Sequence, residues 1–188
     1  GKLTASARVG WQNDGHTTIN ISCVRRNQCL IWPIFLDYEP VKTDTGKFKG
    51  TVGLQEEQNK GLALMRSLNQ SQQAKAMIAG DKKGEDTLTA AYRDNVVLDY
   101  AGIRAAELNA VQKKLLLQVV AQYVSNMDNG HARIKLSEVR RHLDETYFGW
   151  IGSAEPDGVF YYRIHSPVVL IEFDHQRPIA LAKSETPT

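Results

Sequence analysis

The feature that most constrains the fold is the stretch at residues 147–178, YFGWIGSAEPDGVFYYRIHSPVVLIEFDHQRP. Aromatic and β-branched runs are separated by turn formers, a pattern that suits short strands. Taken as a strand, residues 159–164 place Phe160, Tyr162 and Ile164 on one side; Tyr161, Arg163 and then His165 take the other. Residues 168–174 divide the same way, with Val169, Ile171 and Phe173 opposed by Val168, Leu170, Glu172 and Asp174. A hairpin through Ser166-Pro167 sets Val169 opposite Ile164 and Glu172 opposite Tyr161. One face then gathers Tyr161, Arg163, His165, Glu172 and Asp174. Ser-Pro is a poor two-residue hairpin loop, because the favoured types need a positive φ at their first position. The division within each strand survives a different turn, whereas the meeting of the two polar faces depends on it.

The rest of the chain reads as strands followed by helices. Residues 18–23 alternate cleanly and predict a half-buried strand, and the apolar run at residues 29–36 predicts its more buried partner, with Pro33 at an edge or bulge. Residues 37–53 predict a long loop. Two helices are expected at residues 54–68 and from Asn69 to a stop at Gly80, the second opened by the capping-box pattern Asn69-x-x-Gln72. Asn109-x-x-Gln112 repeats that device before the strongest helix, residues 110–127, which is read as the central core helix. A shorter helix is expected at residues 137–145. Residues 81–108 show no period, and their charged opening DKKGED marks a mobile connecting segment. The expected fold class is α+β, with N-terminal antiparallel strands, central helices and C-terminal antiparallel strands in a single domain over residues 1–188.

Composition narrows the function classes. Hydrophobic residues at 42% and charged residues at 23% fit a folded domain rather than a disordered chain. No apolar run reaches the roughly 18 residues of a membrane span, so none is expected. The net charge of +2 is scattered in pairs such as Arg25-Arg26 and Lys82-Lys83, without the basic stripe of a nucleic-acid binder. The opening GKLTASARVG lacks the apolar core of a signal peptide, which leaves the compartment open. Cys23 and Cys29 flank a turn; a two-residue loop puts them on opposite faces and a three-residue loop aligns them. Neither Gly-x-Ser-x-Gly nor a phosphate-binding glycine loop occurs in the sequence.

The polar exit of the last strand is the candidate site. Carboxylate oxygens of Glu172 and Asp174 with the imidazole of His175 are a donor set for a divalent metal ion, or for moving a proton. Adjacent residues of an extended strand point apart, so Asp174 and His175 converge only if the strand ends between them. A plain Arg163–Glu172 pair on a solvated face explains part of the same cluster. His16, after the turn signal Asp14-Gly15, reads alone as a packed or capping histidine more readily than as a ligand.

Gly10-Trp11-Gln12-x-Asp14-Gly15-His16, Pro33-x-Phe35, Glu56-Glu57-Gln58 with Gly61-Leu62-Ala63-Leu64, and Ser67-Leu68 followed by Gln72 run in order along the chain. Phe148-x-Trp150-x-Gly152, Tyr161-Tyr162-Arg163-Ile164 and LIEFDHQRP at residues 170–178 complete the series. Together they resemble the family catalogued as domain of unknown function 3500. Members look like bacterial and fungal proteins, many apparently exported, which implies a secreted or periplasmic protein. They commonly carry Gly-His-His where this chain has Gly15-His16-Thr17, and continue into a His-x-His block beyond the point where this sequence stops, at Thr188. The resemblance implies a divided metal site to which His16, Glu172, Asp174 and His175 contribute, only part of it lying in this chain.

Two functions follow as expectations. The first is an exported domain with a partial metal-binding or hydrolytic site. The second is a structural protein that self-associates into a homo-oligomer through exposed strand edges, without catalysis. The sequence does not decide whether the protein is an enzyme.

Overall fold

The computed structural model describes residues 8–14, 18–25, 28–36, 45–47, 49–50, 52–84, 86–89, 96–155 and 158–175. The chain divides into two compact units: Gly1–Gly53 with Ala91–Asp94, and Leu54–Ala90 with Asn95–Thr188. The first unit holds β1 (Arg8–Asp14), β2 (Thr18–Arg25) and β3 (Gln28–Leu36) in an antiparallel sheet of order β1-β2-β3. That is one strand more than the sequence reading assigned, since β1 covers residues taken there as the approach to the first strand. Cys29 pairs with Val24, and Cys23 with Leu30. This is the register of a two-residue turn.

The second unit is α+β. Its helices are α1 (Gln55–Ser67), α2 (Gln70–Ala76), α3 (Ala110–Val124) and α4 (Asn129–Arg141). Its strands are β4 (Met77–Ala79), β5 (Ile103–Arg104), β6 (Tyr147–Gly152), β7 (Phe160–His165) and β8 (Leu170–His175). The sheet runs β4-β6-β7-β8, with β5 also pairing with β6. It is mixed, not purely antiparallel, because β4 lies parallel to β6.

Both capping boxes form as expected. The Asn69 side chain accepts from the Gln72 N–H and the Gln72 side chain from the Asn69 N–H, and Asn109 and Gln112 do the same. Helix α2 nevertheless stops at Ala76, short of Gly80, because Met77–Ala79 pair with Trp150 and Ile151 of β6. That pairing is a tertiary contact without a local signal. Helix α4 begins eight residues earlier than residue 137, with the Asp128 side chain accepting from the Gly130 N–H. A separate 3-10 turn at Leu143–Glu145 makes up the end of the stretch read as one helix.

The helices cover one face of the sheet. Phe148, Trp150, Phe160, Tyr162 and Ile164 are buried there with Leu116, Val119 and Val120 of α3. Trp150 stacks on Phe160 with ring centroids 4.4 Å apart, and Tyr162 stacks on Phe173 at 5.1 Å. Gly61 lets α1 approach this layer: a Cβ there would stand 2.3 Å from a Tyr162 ring carbon. The Tyr162 hydroxyl donates to the Glu57 carbonyl oxygen at 3.0 Å and contacts the Tyr123 hydroxyl at 2.6 Å, so this buried phenol is hydrogen-bonded.

Candidate functional site: the polar face of the sheet

The opposite face is built by the other half of the same alternation. In the β7–β8 register Tyr161 pairs with Asp174, Arg163 with Glu172, and His165 with Leu170. The partner of Ile164 is Ile171 rather than Val169, two positions further on. The cause is the turn. Residues 166–169 form the loop, and the Ser166 hydroxyl accepts from the backbone N–H groups of Val168 and Val169 at 3.2 and 3.1 Å. A slip of two residues keeps every side chain on its face, whereas a slip of one reverses them all. The polar faces of β7 and β8 therefore do coincide, though not through the two-residue turn.

Residues 82–84 and 86–89 lie against this face, and Asp99 and Tyr100 meet it further along β7. The Lys82 ammonium, its side chain only 3% exposed, lies 2.6 Å from Asp174 Oδ1 and 3.3 Å from Asp86 Oδ2. It also donates to the Gly84 carbonyl oxygen. Asp174 Oδ2 accepts from the Asp86 N–H at 3.2 Å. One residue pair further along the sheet, Glu172 accepts from the Leu88 N–H at 2.9 Å and the Thr89 N–H at 3.0 Å. The hydroxyls of Thr89 and Tyr161 donate to it as well. Burial first, then the hydrogen bond to Glu172, pushes the Tyr161 phenol far above its usual range, so it stays protonated and donating.

Past these two clasps lie Arg163 and His165. Arg163 is only 4% exposed. Its Nη2 donates to the Asp99 carbonyl oxygen at 3.3 Å, and no acceptor meets Nε among the described residues. The carboxylate across from it, Glu172, is engaged by residues 88 and 89 and by Tyr161. The guanidinium is hydrogen-bonded only to a carbonyl, and the opposite charge across the strand pair, Glu172, is shared with these other donors. His165 stands beside it. Its ring lies tilted against Tyr100 at 4.3 Å, Tyr100 stacks in turn on Tyr147 at 5.0 Å, and its Nδ1 is buried without a partner among the described residues. Burial, and then the neighbouring Arg163 charge, lowers the imidazole below its ordinary pKa and favours the neutral ring.

The four residues proposed as metal ligands are thus distributed. Glu172 and Asp174 share the polar face. Strand β8 continues through His175, so His175 falls on the other side, with its ring edge-on to Phe160 at 5.4 Å. His16 lies outside the described residues. Among the described residues no group of three His, Cys, Asp or Glu side chains is placed to hold a metal ion. The carboxylates of Glu172 and Asp174 hold backbone amides, hydroxyls and an ammonium, a donor set in use for clasping the chain.

Sequence reasoning missed Lys82, Asp86, Asp99 and Tyr100. The sequence reading places Lys82 in a scattered basic pair with Lys83 and Asp86 in a charged, mobile connecting segment. The backbone donors of Leu88 and Thr89 carry no side-chain signal at all.

Fold and site together define an α+β protein whose mixed sheet has helices on one face and a polar, strapped surface on the other. The family model described as Protein of unknown function (DUF3500) matches residues 1–186, and the chain belongs to that family. No curated protein and no solved structure matches the chain. No helix among the described residues is long and apolar enough to cross a membrane.

Proposed function

We propose that this protein binds a small molecule on the polar face of the C-terminal sheet, between Arg163 and His165 of β7 and the returning segment at residues 96–101. The observation that carries the reading is Arg163: a guanidinium 4% exposed, with Nε unmet among the described residues. Buried charges in folded proteins are paired or ligated; this one has a carbonyl for its hydrogen bond and shares Glu172, across the strand pair, with other donors. Titratable side chains gathered in one place with perturbed protonation are a recognised mark of a ligand site. A fragment screen followed by backbone amide NMR tests it. Hits should cluster on the amides of residues 96–101 and 161–165. A screen whose hits avoid both segments contradicts the reading.

A metal at Glu172 and Asp174 would first have to displace the hydrogen bonds that hold residues 86–89, which places this reading behind ligand binding. Self-association is favoured by a separate observation. Among the described residues β8 ends the sheet, with no strand on its outer side. Light scattering over a wide concentration range addresses it, and a constant monomer mass would count against it.

A further inference from the structure

We infer that Asn129 is a site of spontaneous covalent modification, its side-chain amide lost through attack by the Gly130 backbone nitrogen, and that the Asp128 cap of α4 sets the rate.

Asparagine is among the thermolabile side chains. Asn129 is the one asparagine of this chain that is followed by glycine. A backbone nitrogen can close a five-membered ring on the side-chain amide carbon of the residue before it. A side chain on the attacking residue obstructs that approach, and glycine has none. The Gly130 nitrogen gives up its proton to a solvent base and bonds to Cγ of Asn129. The Cγ–Nδ2 bond breaks and ammonia leaves, taking up a proton from water. Water then opens the cyclic imide at either carbonyl, giving aspartate or its β-linked isomer. Each conversion consumes one water and releases one ammonia, with no change of oxidation state.

The structure exposes this pair and also restrains it. Asn129 and Gly130 are solvent-exposed, the first two residues of α4. The N–H groups of a first helical turn have no intrahelical partner and are satisfied from outside. For Gly130 the partner is the Asp128 side chain, whose Oδ1 accepts at 3.0 Å. The proton that has to leave is therefore the one that the cap holds. The Asp128 carbonyl oxygen also accepts from the Ala132 N–H at 2.8 Å, which keeps the turn wound. Ring closure fixes ψ of the asparagine outside the helical region, so a wound turn cannot react. Conversion then proceeds from the minority of molecules in which this turn has frayed, and the cap determines that fraction.

The two products affect α4 differently. Aspartate adds a negative charge at the helix N-terminus, where it is favourable. The β-linked isomer lengthens the main chain just ahead of Ala132 and Val139, the residues that α4 buries.

The test is peptide mapping by mass spectrometry after the intact chain has stood in warm, mildly alkaline buffer, reading the amide-to-acid change and the isomer at each asparagine. Asn129 should convert first. Asp128→Ala should speed it about fivefold with an unchanged circular dichroism spectrum, the shift in opening expected when an N-cap is lost. Asp128→Ser, which keeps a capping oxygen, should bring the rate back toward wild type. In Gly130→Ala the new methyl stands 3.3 Å from the exposed, yielding Asp128 carboxylate, and Asn129 should slow to the rate of the other asparagines. Another asparagine converting first, or an unchanged rate in Gly130→Ala, overturns the site. An unchanged rate in Asp128→Ala overturns the control by the cap. Should Asp128→Ala fail to fold, folded wild type is compared with wild type in urea, and equal rates overturn the restraint.

Discussion

The two faces of the C-terminal sheet are drawn from alternating residues of the same three strands, β6, β7 and β8, yet they are completed by different means. On one face Trp150, Phe160, Tyr162 and Phe173 stack against each other and against α1 and α3, and apolar burial supplies the cohesion. On the other, Glu172 and Asp174 hold Lys82, Asp86, Leu88 and Thr89 through backbone amides, a hydroxyl and the Lys82 ammonium. The first face is non-directional and densely filled, so damage there should spread through the unit. The second is a set of discrete polar clasps, so damage should stay local. The comparison teaches that one alternating strand pattern can build an apolar core on one face and a polar, clasped surface on the other.

The largest effect expected from breaking this comparison is at the aromatic layer. Trp150→Ala should lower unfolding free energy by about 3–5 kcal/mol, measured by urea denaturation, since the ring is fully buried. Gly61→Ala should cost about 1–3 kcal/mol, because its new methyl meets the Tyr162 ring and α1 must move off the sheet. On the polar face, Glu172→Ala should raise hydrogen exchange at Leu88 and Thr89, with local opening easier by about 1–3 kcal/mol. Exchange in α3 should not change. Equal acceleration in α3 would show that the two faces are one cooperative unit.

A smaller effect distinguishes the faces by pH. His165 and His175 lie on opposite faces, and both hold their protons less readily than the ordinary 6.5, burial being the first cause in each. A folded pKa below the unfolded one means that the unfolded chain binds more protons as pH falls below 6.5, so stability declines through that window. His175→Phe should flatten part of the decline by removing the contribution from the aromatic face. Ligand bound at His165 should leave the remaining part sensitive to ligand concentration. Denaturation at several pH values between 5 and 7, roughly where imidazoles titrate, checks both statements.

Much of this face-by-face division is legible in the sequence. Alternation through Phe160, Tyr161, Tyr162 and Arg163 assigns each residue its side, and the assignment survives the register because the Ser166 turn shifts β8 by two positions. The caps at Asn69 and Asn109 are equally legible, being local hydrogen-bond patterns. What escapes is long-range. Met77–Ala79 leave the helical run to pair with β6, which lies some seventy residues away. The clasps on Glu172 use backbone donors that any residue at positions 88 and 89 would supply. His175 does not join Glu172 and Asp174 for a simpler reason: β8 does not end at Asp174, so strand geometry keeps His175 on the far side.

The central claim is that Arg163 is retained for a ligand and not for the fold. Its most direct test is the stability of Arg163→Met in ligand-free protein, by urea denaturation. Methionine keeps the packed stem and removes the buried charge. The account predicts unfolding free energy unchanged or raised, because a buried guanidinium with Nε unmet among the described residues is a burden to the folded state. A loss of about 3 kcal/mol or more, the size seen when one partner of a buried pair is removed, would contradict it and make Arg163 a structural residue.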